Sequence, residues 1–497
     1  MTGHSGINGR RRAALCALLA AALASWALPA VGDDLGAAVD AVLADKRLMG
    51  ATLGVEVRSL ATGQVLCARN GTVRMIPASN EKLLTSAAAL TDLGAGYEFR
   101  TALMAGAGAV LTDGVLGGDL ILRGGADPTL GSVEAGEQPL AQFQAWADEV
   151  RALGMLRVKG DLVVDDTFLD RQEVHPDWPP GQEWRDYCAP VSAMPLNDNC
   201  VMVQVRPGAR QGAVATVSLS PAVPFLQVAN QCLTDAKRHA VWFSRRSGSQ
   251  IIRVGGFVRL GTGGYTGAVS APYPALFSGA ALAEVLKSRG VELAGTVRLA
   301  GPGDLARRRE WGILCERRTP LTRVLSIMLK ESQNMYAEHV LKAVGAESTP
   351  GRPGSWESGC ARVSAMLQGL GWTPSDYSLA DGSGLSRNNR VSASIICSVL
   401  MAMDRLPAGR ELPDMLATAG ADGTLGRRLK AEPYAGNVQA KTGYVRGAGA
   451  LSGYARTRAG TRVAFSILIN NFTPPTDNSA MKDIEDAVLR AIVDRAR

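Results

Sequence analysis

Two side chains near the start of the chain have the types and the spacing that nucleophilic catalysis needs. Ser79 follows Pro77, a residue that favours the first turn of a helix, and Lys82 lies three residues further on. Residues three apart share a helix face, where an amine kept neutral by burial can take the hydroxyl proton of Ser79. Alone, Ser-x-x-Lys is a weak signal, and an N-capping serine followed by a solvated lysine explains it as well.

A second pair of polar residues lies at a predicted corner between helices. Ser332 and Asn334 separate a helical segment that begins at 320 from another that runs to about 344. A hydroxyl there can relay a proton to a leaving amine, and a side-chain amide can both donate to and accept from a peptide. Alone, two polar residues in a turn are the simpler interpretation.

The third motif lies on an apolar strand predicted near the C-terminus. Lys441 and Thr442 offer a cation and a hydroxyl to a carboxylate, and Gly443 lets another group approach the strand backbone closely. Each motif is weak by itself. In this order, at a helix start, a helical corner and a strand, the three together form a strong signal.

The elements that must position these motifs lie at the two ends of the chain and predict an α+β fold. Helices are predicted around 35–45, at 79–93 and at 478–495, and strands at 52–59, 65–69, 439–445, 448–457 and 462–469. We therefore expect one antiparallel sheet packed against helices, with its sequence interrupted by an insertion.

The interrupting segment, residues 96–309, is rich in glycine, valine and turn residues. Gly118-Asp119-Leu120 and Gly160-Asp161-Leu162 each open a short apolar strand. The segment is expected to form one or two mainly β domains. The first domain then comprises residues 33–95 and 310–497.

Composition and charge favour an ordinary folded protein. The 497 residues are 46% hydrophobic and 20% charged, with a net charge of +7. The one dense basic run, Arg307–Arg309 with Arg317 and Arg318, is followed or interrupted by Glu310 and Glu316, so we interpret it as a solvated linker. Nucleic-acid binding is not expected.

The N-terminus has the pattern of a signal peptide over residues 1–32. Arg10–Arg12 precede an apolar stretch at 13–28, and small residues at 30–32 provide a cleavage site before Asp33. Cleavage lowers the net charge from +7 to +4. An uncleaved anchor is the alternative, although it would need about 20 apolar residues.

No later stretch approaches that length, so we expect a periplasmic protein without an integral membrane segment in the mature chain. Loose association with the membrane or the wall stays open.

Neither the cysteines nor the histidines predict a metal site or a cofactor. Seven cysteines remain after cleavage, none with Cys-x-x-Cys spacing, and their pairing is left open. The mature histidines His175, His239 and His339 are scattered.

With these motifs the sequence resembles the penicillin-recognising serine transferases. In particular it resembles the D-alanyl-D-alanine carboxypeptidase/endopeptidases of peptidase family S13, the class C low-molecular-mass penicillin-binding proteins. The resemblance covers nearly the whole mature chain and extends to residues 77–87, 124–130, 189–193, 196–199 and 381–387. The 253 positions between Ser79 and Ser332 also fit, because this family carries extra domains there. The implied fold is a penicillin-binding protein/β-lactamase-like transpeptidase domain.

The resemblance implies that Ser79 attacks the carbonyl between two terminal D-alanines of a peptidoglycan stem peptide, with Lys82 as base. Ser332 and Lys441 would pass the proton to the leaving amine, and Asn334 would hold the substrate amide. Water would then hydrolyse the acyl-enzyme ester and release the free enzyme. Cleavage of D-alanyl cross-links is a further activity that the family implies, and β-lactams are expected to acylate the same serine.

The same resemblance assigns substrate contacts to the strand motif. Thr442 would contact the terminal carboxylate, beside Gly443. Backbone N–H groups of Ser79 and Tyr444 would form an oxyanion hole, a contact worth roughly 3–4 kcal/mol per donor. Tyr444 departs from the family, which usually has a small hydroxyl residue there, so a carboxylate contact from this side chain is not carried over.

Two other functions remain open from sequence. One is a β-lactamase or esterase of the same fold, which would hydrolyse β-lactams without lasting acylation. The other is a catalytically silent peptidoglycan-binding protein, which would not need all five of the residues Ser79, Lys82, Ser332, Asn334 and Lys441.

Overall fold

A computed structural model describes residues 33–472 and 478–497. The predicted signal peptide lies outside the described residues. The chain forms two compact units. Unit 1 comprises the described residues up to Gly96, together with Leu325–Ser348 and Trp356–Arg497, and unit 2 comprises Tyr97–Val324 and Thr349–Ser355.

The helices and strands occur in three stretches of the described chain. The first stretch contains α1 (Asp33–Leu43), β1 (Thr52–Ser59), β2 (Val65–Arg69) and α2 (Glu81–Asp92). The middle stretch contains β3 (Glu98–Ala105), β4 (Leu111–Thr112), β5 (Val115–Leu116), β6 (Leu120–Arg123), α3 (Ala141–Ala152), β7 (Arg157–Val158), β8 (Leu162–Asp165), β9 (Cys200–Arg206), β10 (Thr216–Ser220), β11 (Gln227–Asn230), β12 (Leu233–Asp235), β13 (Ala240–Ser244), β14 (Ile251–Arg259), β15 (Tyr265–Ser270), α4 (Pro274–Ser288), β16 (Glu292–Leu293), β17 (Val297–Leu299), α5 (Pro302–Ala306) and β18 (Gly312–Pro320). The last stretch contains α6 (Leu321–Lys330), α7 (Asn334–Ser348), α8 (Trp356–Gly369), α9 (Ala393–Arg405), α10 (Leu412–Met415), β19 (Ala417–Thr418), β20 (Gln439–Val445), β21 (Ala448–Arg456), β22 (Arg462–Asn470) and α11 (Asn478–Arg495).

Unit 1 is built on one six-stranded sheet in the order β19-β20-β21-β22-β1-β2. Every neighbouring pair in it is antiparallel. Strand β1 lies between β2 and β22, so the two ends of the chain share one sheet, as predicted. The predicted bounds of β1, β2, β20 and α11 agree with the structure.

Helices cover both faces of this sheet. On one face α1 and α11 contact each other, and Ile484, Val488 and Ile492 of α11 pack with Val55 and Phe465 of the sheet. On the other face α9 contacts β1 and β22, and it also contacts α2, which packs on α7 and α8. The helices that carry the first two motifs are therefore packed together.

Unit 2 contains four sheets with α3 and α4. Its five-stranded sheet has the order β17-β8-β6-β3-β18. The two Gly-Asp-Leu segments open β6 and β8, and these strands pair in parallel with Leu120 opposite Leu162. The aspartates of both segments, Asp119 and Asp161, bind the Arg298 side chain.

The division between the units differs from the expected one at residue 310. Strand β18 pairs along its length with β3, which assigns residues 312–320 to unit 2. The prediction of a solvated linker is wrong for Arg317. This side chain is 13% exposed and binds Asp127 and Glu137, because its strand is part of the unit 2 sheet.

Among the helices that the structure describes, none is both long and apolar enough to cross a membrane.

Candidate active site

Ser79 lies in a tight turn immediately before α2. Residues 78–80 form a single 3₁₀ turn, so the α-helix predicted from Ser79 begins two residues later, at Glu81. Ala78 has a φ of +47°, in the left-handed region that costs energy for an L-residue. A Cβ atom on Gly384 would lie 1.8 Å from the Ala78 carbonyl oxygen. The turn that presents Ser79 therefore requires glycine at position 384.

The Lys82 side chain is fully buried and contacts three oxygen atoms. Its Nζ lies 2.9 Å from Oγ of Ser79, 2.7 Å from Oδ1 of Asn334 and 3.0 Å from the carbonyl oxygen of Ser383. The structure thus brings residues of the first two motifs into direct contact through one amine.

Burial changes the protonation of this amine. Removal from water lowers the pKa of Lys82 to about 7, although the neighbouring carboxyl groups of Glu338, Asp381 and Glu81 act in the opposite direction. A substantial fraction of Lys82 is therefore neutral near pH 7. A neutral amine in contact with a hydroxyl can act as a general base.

Lys441 makes the corresponding contact with the second hydroxyl. Its Nζ donates to Oγ of Ser332 at 2.7 Å and to the carbonyl oxygen of Thr442 at 2.8 Å. Burial, followed by repulsion from Lys82, lowers the pKa of Lys441 well below its ordinary value. Ser332, in the corner between α6 and α7, has a φ of +63°. The third motif is thereby joined to the second.

Gly443 lies where β20 passes the Ser79 turn. A Cβ atom there would lie 2.9 Å from Nδ2 of Asn80, 3.0 Å from the carbonyl oxygen of Pro77 and 3.0 Å from the backbone nitrogen of Ser79. Asn80 also donates from Nδ2 to the carbonyl oxygen of Lys441 at 3.2 Å. Only glycine allows this close approach.

The side chains of Thr442 and Tyr444 take other partners. Oγ1 of Thr442 donates to Oγ1 of Thr424 at 2.9 Å. Tyr444 is 44% exposed, and its ring centroid lies 6.5 Å from that of Phe472.

Sequence reasoning missed three residues that contact or surround Lys82. The family resemblance includes residues 381–387 but gives them no role, yet the carbonyl of Ser383 binds the amine directly. Glu338 and Asp381 are buried beside it. The available signal for Glu338 was its spacing of four residues from Asn334, which places both side chains on one face of α7. No grouping of His, Cys, Asp and Glu side chains suited to a metal ion occurs among the described residues.

The six-stranded sheet with helices on both faces, and the contact between Lys82 of α2 and Ser79 just before it, are features of the penicillin-binding protein/β-lactamase-like fold. A family model described as D-Ala-D-Ala carboxypeptidase 3 (S13) matches residues 35–493. The chain belongs to this family.

Individual relatives agree with this assignment. The chain is 34% identical to a D-alanyl-D-alanine carboxypeptidase from Actinomadura sp., over 97% of this chain and 90% of the relative. It is 27% identical to D-alanyl-D-alanine carboxypeptidase DacB from Haemophilus influenzae, over 87% and 88% of the two chains. The crystal structure of penicillin binding protein 4 (dacB) from Haemophilus influenzae in complex with a β-lactam matches with a TM-score of 0.75 and 26% identity, over 92% of this chain and 99% of that one.

These findings confirm the predicted family and fold, and they establish the protein as an enzyme with the activity of a D-Ala-D-Ala carboxypeptidase.

Proposed function

We propose that Ser79 is the nucleophile of this carboxypeptidase and that Lys82 is its general base. The observation that carries the proposal is the 2.9 Å contact between Nζ of Lys82 and Oγ of Ser79, made by a buried amine whose pKa is lowered to about 7. The oxygen attacks the carbonyl carbon between two terminal D-alanines as its proton moves to the amine.

The leaving amine needs a proton when the carbon–nitrogen bond breaks. Ser332 and Lys441 are hydrogen-bonded to each other, and Ser332 is the hydroxyl suited to deliver that proton. The products of this step are D-alanine and an ester on Ser79. Ser332 regains a proton from Lys441, which in turn receives the one that Lys82 took from Ser79, so Lys82 is neutral again. Water then adds to the ester with loss of a proton to Lys82. Lys82 passes this proton to Oγ of Ser79 as the ester bond breaks, which releases the shortened peptide and restores the serine.

Substrate contacts are assigned to the remaining motif residues. Asn334 would hold the substrate amide, and Thr442 and Lys441 would attract its terminal carboxylate. The close packing at Gly443 supports an oxyanion hole formed by the backbone N–H groups of Ser79 and Tyr444.

The substrate is proposed to be the stem peptide of peptidoglycan, and β-lactams are proposed to acylate Ser79 as they mimic it. The crystallised Haemophilus relative with a bound β-lactam supports this proposal. A periplasmic location is proposed with it, and the cell-wall substrate and the signal-peptide pattern of residues 1–32 support that location. The predicted endopeptidase activity on D-alanyl cross-links stays a prediction.

The test is the intact mass of the purified mature protein after exposure to benzylpenicillin. We expect one stable adduct on the unmodified protein and none on Ser79→Ala. Ser86→Ala is the matched control, because Ser86 is another buried serine on α2 whose hydroxyl donates to the carbonyl of Lys82. It should retain the adduct.

Two outcomes would contradict parts of this proposal. An adduct on Ser79→Ala would exclude Ser79 as the nucleophile, and rapid drug hydrolysis without an adduct would favour a β-lactamase or esterase. Release of D-alanine from a stem peptide, compared with cleavage of a cross-linked dimer, then separates carboxypeptidase from endopeptidase activity.

A further inference from the structure

A buried carboxylate holds part of the backbone beside the candidate base. Glu338 lies on α7, one turn after Asn334, and is 0% exposed. Its Oε2 accepts from the backbone nitrogen of Gly382 and from Nε1 of Trp356, both at 2.8 Å. Its Oε1 accepts from the backbone nitrogen of Ser383 at 2.9 Å.

The backbone that Glu338 holds also supplies an acceptor for Lys82. The carbonyl oxygen of Ser383 lies 3.0 Å from Nζ of Lys82. Thr85 donates from Oγ1 to the carbonyl oxygen of Gly382 at 2.8 Å, so α2 holds the same segment from a second side. The position of this acceptor is therefore fixed by two helices, α2 and α7.

The Ser383 carbonyl affects the direction in which a neutral Lys82 amine points its lone pair. A neutral lysine has two hydrogens and one lone pair. The Ser383 carbonyl and Oδ1 of Asn334 can only accept, so together they take both hydrogens of Lys82. The lone pair then faces the third neighbour, the hydroxyl of Ser79.

We propose that Glu338 is a positioning residue for the reaction: by holding the Ser383 carbonyl, it fixes the orientation in which neutral Lys82 presents its lone pair to Ser79. The inference rests on the proposed role of Lys82 as the base. It assigns to Glu338 a function in catalysis that requires no contact with the substrate.

Glu338 also acts on Lys82 through its charge. Burial, assisted by Asp381, raises the pKa of Glu338, and its charged form raises the pKa of Lys82 against the effect of burial. The other ionisable groups around this pair are Glu81 on α2, Asp381 in the loop before α9, Cys360 on α8, Lys342 on α7 and Lys441 on β20. Of the three carboxyl groups nearest Lys82, Glu338 accepts from the backbone nitrogen of Ser383.

The experiment compares acylation by benzylpenicillin in the unmodified protein and in Glu338→Gln. The second-order rate constant of acylation is measured from pH 5 to 9 and is expressed per active site that penicillin can label. A glutamine keeps the size but cannot accept from both backbone N–H groups, because one of its two polar atoms is itself a donor. We expect the plateau rate to fall about 10–100-fold through misplacement of the base. The pH at which the acylation rate reaches half of its plateau, the midpoint, should move lower, because Glu338→Gln removes a negative charge near Lys82.

Two further variants separate positioning from stability. Glu56→Gln is the matched control, since Glu56 is a buried carboxylate of the same unit that binds Arg58 and Ser394. It should lower thermal stability while the rate per site and the midpoint stay unchanged. Glu338→Asp keeps the charge but shortens the side chain, so the plateau should fall while the midpoint moves less. If Glu338→Gln does not fold, Glu338→Asp alone tests the proposal.

A folded Glu338→Gln protein with the plateau and midpoint of the unmodified protein overturns the proposal, and so does a loss of stability alone. Unchanged rates in Glu338→Asp overturn it if only that variant folds. If the unmodified protein forms no adduct on Ser79, the proposed function itself fails, which this design detects independently.

Discussion

Lys82 and Lys441 are two fully buried amines, and the charge of Lys82 adds to the effect of burial in lowering the pKa of Lys441. Each amine contacts one hydroxyl, Ser79 at 2.9 Å and Ser332 at 2.7 Å. Two like charges at this depth destabilise each other strongly. The pair is therefore suited to hold one proton, as the proposed transfer from Ser79 to a leaving amine requires.

The first prediction concerns the pH dependence of acylation. The neutral form of Lys82 is the proposed base and its pKa is about 7, so the rate should rise with pH through about 7 and level above it. At pH 5 only about 1% of the amine is neutral, and the rate should be roughly 100-fold below the plateau. Stopped-flow acylation by a fluorescent penicillin measures this. A rate independent of pH from 5 to 8 would contradict the assignment.

The second prediction is that Lys82→Arg abolishes acylation, with a loss of about 1,000-fold or more, within the range for general-base catalysis. A guanidinium remains charged at all accessible pH values and cannot accept the proton of Ser79. The measurement is the same acylation assay. Lys287→Arg, on the exposed surface of α4, is the control and should react normally. Activity in Lys82→Arg would mean that another group is the base.

The third prediction is that Ser332 and Lys441 act as one unit. Ser332→Ala and Lys441→Ala should each slow acylation about 100-fold, because each breaks the same 2.7 Å hydrogen bond. The double variant should be scarcely slower than the worse single variant, since contacting residues are not additive. A double-mutant cycle of acylation rates tests this. Multiplicative losses would show that the two residues act independently.

The fourth prediction concerns the close approach of β20 to the Ser79 turn. Gly443→Ala places a methyl group 3.0 Å from the backbone nitrogen of Ser79 and should displace an oxyanion donor, with a loss of roughly 100-fold in acylation rate. Gly369→Ala is the control, because nothing lies within 4 Å of its added Cβ. Equal rates in both variants would argue against an oxyanion hole at this place.

Much of the site could be predicted from the sequence because its parts are local. Ser79 and Lys82 are three residues apart at a helix start, and Lys441 to Gly443 follow one another on a strand. Their order and context suffice to indicate the chemistry. The strands at the chain ends were equally predictable, since Thr52–Ser59 and Gln439–Val445 have clear flanking turns.

The rest depends on contacts between distant segments. Glu338 meets Ser383 only because α7 packs against the loop before α9, and no local pattern encodes a bond across 45 positions. The prediction that Arg317 lies in a solvated linker was wrong for the same reason. In sequence Arg317 belongs to a basic run, and only the pairing of β18 with β3 places it beside Asp127.

The last prediction tests how the strained turn at Ala78 is supported. Gly384 has a φ of +81°, and an added Cβ would lie 1.8 Å from the Ala78 carbonyl oxygen. Gly384→Ala should therefore destabilise the protein by about 3 kcal/mol or more, and the folded fraction should acylate slowly because Ser79 is displaced. Gly371→Ala isolates the backbone cost, since its φ is +91° but nothing lies within 4 Å of its Cβ, and it should cost about 1–2 kcal/mol with normal acylation. Chemical unfolding and acylation per folded molecule measure both effects. Equal losses of stability and equal acylation rates in Gly384→Ala and Gly371→Ala would show that the contact between Gly384 and Ala78 does not hold Ser79 in place.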